Sequence, residues 1–164
     1  MSDVYIGKGK LAGKGVYAAR DFREGEVVKF YHLKQLTQSE FDELPESERM
    51  FTHSFWGKIY LFPEPSRYTN HSAKPNTRAD LEQMCDVALR PIKKGEMITT
   101  NATQEILNEL RTFVESYESK KKITQFERLK GGYRNAVVRY SLSSGKRMTL
   151  ILQRVAGNWR VMNK

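Results

Sequence analysis

The sequence predicts a β-rich α+β chain, and three observations carry that expectation. Over roughly the first hundred residues, short apolar runs alternate with glycines, which is the pattern of small strands joined by tight turns. From Thr103 the apolar spacing becomes helical. Beyond the lysine run at 120–122 it changes again, to strict alternation.

The opening stretch, VYIGKGKLAGKGVYAARDFREGEVVKFY, places apolar pieces at Val4 to Ile6, Val16 to Ala18 and Val27 to Phe30, with glycines at 7, 9, 13, 15 and 25. These pieces are expected as strands. In TQSEFDELPESERMF, Thr37 or Ser39 can cap a helix that Pro45 interrupts, an insertion between strands. GKIYLFPEPSRYTNHSAKPNT then supplies one short strand and a proline-bounded turn, and CDVALRPIKKGEMIT two more strand-like pieces. Ile106, Leu107, Leu110, Phe113, Val114 and Tyr117 recur at helical spacing, predicting a helix from about Gln104. Ala136, Val138, Tyr140 and Leu142 share one face of a strand, and Met148, Leu150 and Leu152 share one face of the next. A hairpin turn at SSGK separates them, and AGN leads to a third strand at WRVM. The expected division is therefore residues 1–104, and 105–164 as a helix plus a three-stranded antiparallel ribbon packed on the first part.

At 164 residues and 39% hydrophobic content, the chain can bury one core, or one core and a small appended unit. Lys and Arg number 28 against 19 Asp and Glu, a net charge of +9. Between residues 120 and 164 stand 12 basic residues and one acid, Glu127, so the rest of the chain is slightly acidic. That surplus favours an acidic partner, nucleic acid included, although no arginine-rich run or nucleic-acid motif accompanies it. Cys85 is the only cysteine, which excludes an intrachain disulfide and a multi-thiolate zinc site, so no metal is expected. A reducing, cytoplasmic setting fits, with a nuclear one left open. The apolar flank MCDVAL makes Cys85 a buried, inert thiol. No apolar run approaches the length of a membrane span, and MSDVYIGKGK lacks the apolar centre of a signal peptide.

Three separated pieces carry the chemistry: GKGVYAARDFREGEVV at 13–28, RYTNHSAKPNT at 67–77, and VALRPIKKGEMITTNA at 87–102. Their order and spacing resemble the SET domain, the fold of many protein-lysine methyltransferases that use S-adenosylmethionine. The resemblance implies a β-fold of short strands with a pseudoknot, covering about two thirds of the chain. It implies that the backbone of Lys14, Gly15, Val16 and Tyr17 approaches the cofactor, where glycine permits close contact. It also assigns cofactor binding to the second piece, in which Arg67, Tyr68, Asn70, His71, Ser72, Pro75 and Asn76 stand in register with the family pattern, and above all to Asn70 and His71.

The third piece keeps Ile92, Gly95, Glu96, Ile98 and Thr99, then departs. Thr100, Asn101 and Ala102 stand where the family has an aromatic residue, an acid and its catalytic tyrosine. Methyl transfer to lysine needs alignment of the amine and loss of its proton, which at neutral pH costs about 4–5 kcal/mol for an ordinary lysine. Ala102 supplies neither a hydroxyl nor a wall for this task. Tyr31, Tyr60, Tyr117 and Tyr133 are the candidates to replace the missing tyrosine. One cysteine cannot build the zinc segment with which many SET proteins roof the site. The tail, RMTLILQRVAGNWRV, resembles the last strands of nuclear transport factor 2-like domains, with Trp159 as a core anchor. Two readings stand: a lysine methyltransferase acting on a protein or peptide, and a non-catalytic SET-like module that binds a protein or acidic partner.

Overall fold

The computed structural model describes residues 2–119, 121–132 and 134–163. In chain order the strands are β1 (Val4–Leu11), β2 (Lys14–Ala18), β3 (Val27–Phe30), β4 (Lys34–Leu36), β5 (Thr52–Phe55), β6 (Lys58–Leu61) and β7 (Asn70–His71). They continue as β8 (Thr77–Asp80), β9 (Cys85–Ala88), β10 (Met97–Thr100), β11 (Ile123–Gly131), β12 (Asn135–Leu142), β13 (Arg147–Val155) and β14 (Asn158–Val161). The helices are α1 (Gln38–Glu43), α2 (Glu46–Arg49) and α3 (Ala102–Tyr117). The chain forms two compact units, Met1–Lys34 with Phe62–Glu105, and Gln35–Leu61 with Ile106–Lys164.

In the first unit, one sheet has the order β1-β2-β10-β7 and another β3-β9-β8. The strands are short because glycines and prolines punctuate them. Val16, Phe22, Val28, Ile92 and Ile98 are all buried with Ala18, and each of these five larger apolar side chains contributes about 1.5–3 kcal/mol. A backbone pair between Phe22 and Ile92 closes this core outside the named strands. Within it lies a polar cluster: Lys29 Nζ reaches Asp86 Oδ2 at 2.6 Å, and Tyr31 Oη donates to Asp86 Oδ1 at 2.5 Å. Pairing and hydrogen bonding make a buried charge tolerable there. Cys85 is fully buried, and burial pushes its thiol up.

The second unit contains the sheets β4-β6-β5 and β11-β12-β13-β14. Thr37 caps α1 through a reciprocal capping box with Glu40, and Pro45 separates α1 from α2 as its fixed backbone requires. Leu110 and Val114 of α3 belong to one core cluster with Ala136, Val138, Tyr140, Leu142, Leu150, Leu152 and Trp159, the inward residues of the sheet. The expected ribbon of three strands is present as β12, β13 and β14, and a fourth, β11, precedes it. Register breaks between Thr124 and Glu127 and between Arg128 and Lys130 destroy the alternation by which β11 would be read from sequence. Residues directly opposite each other place Lys130 beside Val137, Arg147 beside Ser141 and Arg160 beside Gln153, all on the face opposite the core.

Among the described residues, no helix is long and apolar enough to cross a membrane, and no group of three His, Cys, Asp or Glu side chains is placed to hold a metal ion.

Candidate functional site

The first unit gathers the three motif segments. The β1–β2 hairpin needs glycine for a steric reason: a Cβ on Gly9 would lie 2.3 Å from the Lys14 carbonyl oxygen, and Gly13 turns the chain at φ +79°. Opposite Gly7, Gly15 sits where an added Cβ would meet Lys8 O and Met97 Cε at 3.2 Å and Asn70 Nδ2 at 3.4 Å. The backbone of Lys14 to Tyr17 is thereby held close to β10 and to Asn70. Val16 is fully buried, whereas the Tyr17 hydroxyl donates to Lys8 O at 2.5 Å.

Asn70 joins this hairpin to the second segment. Its Oδ1 accepts from Lys10 N at 2.7 Å, and its Nδ2 donates to Lys14 O at 2.9 Å and to Tyr68 O at 2.8 Å. The side chain is buried and its polar atoms serve the backbone of three residues. Around it, β7 runs parallel to β10, with Asn70 opposite Thr99 and His71 opposite Thr100, and Ser72 N donates to Thr100 O. These are the segments that the expected pseudoknot would bring together. Asn76 completes the clasp: its Nδ2 donates to Met97 O and its Oδ1 accepts from Thr99 N, both at 2.8 Å. One amide side chain thus takes the place of a strand residue against β10.

His71 Nδ1 accepts the backbone N–H of Ala102 at 2.9 Å. In the neutral ring this leaves the hydrogen on Nε2. Nearby, Lys14 Nζ lies 4.9 Å from the centre of the Tyr68 ring, a cation–π distance, and the Tyr68 hydroxyl donates to Glu64 Oε1 at 3.0 Å. Arg67 directs Nε to the Phe62 carbonyl at 2.9 Å.

The departure at 100–102 has a local cause. Asn101 Oδ1 accepts from Thr103 N and Gln104 N at 3.0 and 3.2 Å, capping α3, and Ala102 is the first helical residue. Of the tyrosines considered as replacements, Tyr31 is buried and bonded to Asp86. Burial, followed by the Asp86 charge, pushes its phenol well above the usual value, so it stays a protonated donor. Tyr60 belongs to the second unit and packs 6.0 Å from Phe55. Tyr117, also in that unit, stacks on Phe113 and is half exposed, and Tyr133 lies outside the described residues. The hydroxyls of Tyr17, Tyr31 and Tyr68 in the first unit are all engaged by protein groups. Sequence reasoning missed the roles of Met97 and Thr99, whose backbone atoms bond to the Asn76 side chain, and of Asn101, whose side chain bonds to backbone N–H groups. Only the position of Asn101 before a helical run signalled its cap.

A glycine hairpin clasped to an Asn-His segment, itself laid beside a late strand, brings the three motif segments together in the first unit. The SET domain family model matches residues 13–101, just over half of the chain. The chain belongs to the SET domain family. Solved structures that resemble it include a candidate histone methyltransferase of Plasmodium falciparum, 20% identical, with 60% of this chain and 91% of that chain covered and a TM-score of 0.48. Another is a chain of an active polycomb repressive complex 2 in the stimulated state, 23% identical, with 61% of this chain and 15% of that chain covered and a TM-score of 0.45. No curated protein matches.

Proposed function

We propose that this chain binds S-adenosylmethionine along the backbone of Lys14 to Tyr17 beside Asn70 and His71, and methylates lysine on a protein or peptide. The observation that carries the reading is the Asn70 amide, which fastens the glycine hairpin to the Asn-His strand. The absence of a side chain at Gly15 supports the reading by letting Lys8, Met97 and Asn70 close against the hairpin, which fixes its backbone in place. The cofactor supplies an activated methyl group on sulfur when bound. The protein's share is positioning: Asn70 holds the hairpin, and His71, fixed by the Ala102 N–H, can offer Nε2–H as a donor. Tyr68 contributes a buried wall, with Arg67 tied to the turn before it.

A second reading, a SET-like module that binds without catalysis, is favoured by Ala102, which begins a capped helix where the family places a tyrosine. In either reading the basic outer face of the β11–β14 sheet engages an acidic partner, and the setting is cytoplasmic. Calorimetric titration with S-adenosylmethionine and a labelled-methyl transfer assay on lysine-rich proteins separate the readings. Saturable binding is expected in the wild type, with about tenfold loss in His71→Ala, the scale of one hydrogen bond to a charged group. Transfer of label selects the enzyme, and binding without transfer the module. A folded wild type that does not bind the cofactor would sink both as S-adenosylmethionine readings. Asn70→Ala is the wrong control, because it removes three hydrogen bonds to the backbone along with any ligand contact.

A further inference from the structure

The second unit contains a cavity of about 710 Å³ that the SET reading does not use. Its volume falls in the range of sites for small ligands, about 300–1,000 Å³. Three arginines line it, Arg49, Arg134 and Arg154, against a single carboxylate, Glu46. Such convergence of like charge is costly unless anions, as Glu109 does at Arg154, or solvent offset it. We propose that this cavity is a binding site for a phosphate monoester.

The arginines are supported as a binding site requires. The Arg154 side chain is 9% exposed; its Nη2 meets Glu109 Oε1 at 3.2 Å, and its Cζ lies 4.7 Å from the centre of the Trp159 ring. Arg49 sends Nη2 to Asp42 O and Nε to Leu44 O, with its Cζ 5.1 Å from the centre of the Phe41 ring. Two of the five donors of that guanidinium are thus used in fixing its plane. Arg134 is exposed, and its carbonyl accepts the Arg154 backbone N–H at 2.8 Å, which sets these two arginines on adjoining stretches of chain. Gly157 lets Phe41 come close, since a Cβ there would stand 2.9 Å from the ring.

Charge and shape choose the ligand. Three guanidinium groups, against Glu46 in the lining and Glu109 paired with Arg154, leave an excess of one positive charge, which a phosphate monoester, at about −1.5 to −2 near neutral pH, meets with more acceptor oxygens than one carboxylate. Its three oxygens accept forked donors from several directions. Phe41 and Met50 in the same wall provide apolar surface for whatever carries the phosphate.

The test is a calorimetric titration of the full chain with O-phosphoserine at low salt, with serine and glutamate in parallel. Saturable binding of phosphoserine alone is expected, weakened about tenfold in Arg134→Ala. Ser47→Glu, on an exposed residue of the cavity lining, is expected to abolish it. Both positions are exposed, so thermal unfolding of the two variants should match the wild type. A phosphoserine peptide binding more tightly than the amino acid assigns the site to a phosphorylated protein, and equal or weaker binding assigns it to a small phosphate ester. No binding of phosphoserine, equal binding of glutamate, or binding unchanged in both variants overturns the proposal.

Discussion

Tyr31 shows how a residue with the right chemistry can be committed elsewhere. Its hydroxyl donates to Asp86 in a site that also contains the Lys29 ammonium, and all three side chains are buried. Tyr31→Phe should cost about 1–3 kcal/mol in urea unfolding, because Asp86 loses a donor where water cannot replace it. Cofactor titration should be unchanged. Unaltered stability with lost methyl transfer would instead make Tyr31 part of the machinery. At this scale the sequence singled out the segment of Asn70 and His71 because it repeats a known pattern, and the structure places that segment beside the glycine hairpin. The sequence was opaque where a side chain bonds to backbone far along the chain: nothing local to Asn76 indicates Thr99 as its partner.

Among elements, α3 was legible from its period, and its buried face carries two polar residues, Glu109 and Thr112, that the period could not explain. Glu109 is buried within that face, accepting from Ser54 N at 2.7 Å and meeting His53 Nδ1 and Arg154 Nη2 at 3.2 Å. Burial alone would raise its carboxyl, but the His53 hydrogen bond and charge, the Arg154 charge and the Ser54 N–H outweigh it, so the group titrates below its ordinary 4.5. A carboxyl lowered by folding adds stability that is present above its unfolded pKa and lost as pH falls through the folded value. Glu109→Gln should therefore be less stable than wild type at neutral pH. The gap in urea midpoint should narrow once the pH drops below about 4. A gap independent of pH would remove Glu109 from the acid response. By contrast, β4, β5 and β8, each of three or four residues, are too short to show a period, and bulges hide β11.

For the whole molecule, the surplus of charge has an address. Lys130, Arg147 and Arg160 lie on the sheet face opposite the core, around Val137 and the exposed Ile151. Retention on a heparin column should fall steeply with salt, and the double variant Arg147→Glu, Arg160→Glu should elute at markedly lower salt than wild type. Retention unchanged in that variant would place the polyanion contact elsewhere. Periodicity reads order along a chain rather than which distant segments share a core. The grouping of Gln35–Leu61 with Ile106–Lys164 depends on partners such as Glu109 for Ser54 and Asn158 for the Ser54 hydroxyl, which no local pattern announces.

The parallel pairing of β7 with β10 also constrains how the chain can mature as it is made. The glycine hairpin and the Asn-His segment are translated first, but the strand that clasps the latter ends only at Thr100. Until that stretch has left the ribosome, Asn76 has neither Met97 nor Thr99 to bond, and His71 lacks the Ala102 N–H. A nascent chain stopped before β10 therefore holds both earlier motifs and no assembled site. Competence arrives in one late step, once the last motif can be laid against the others.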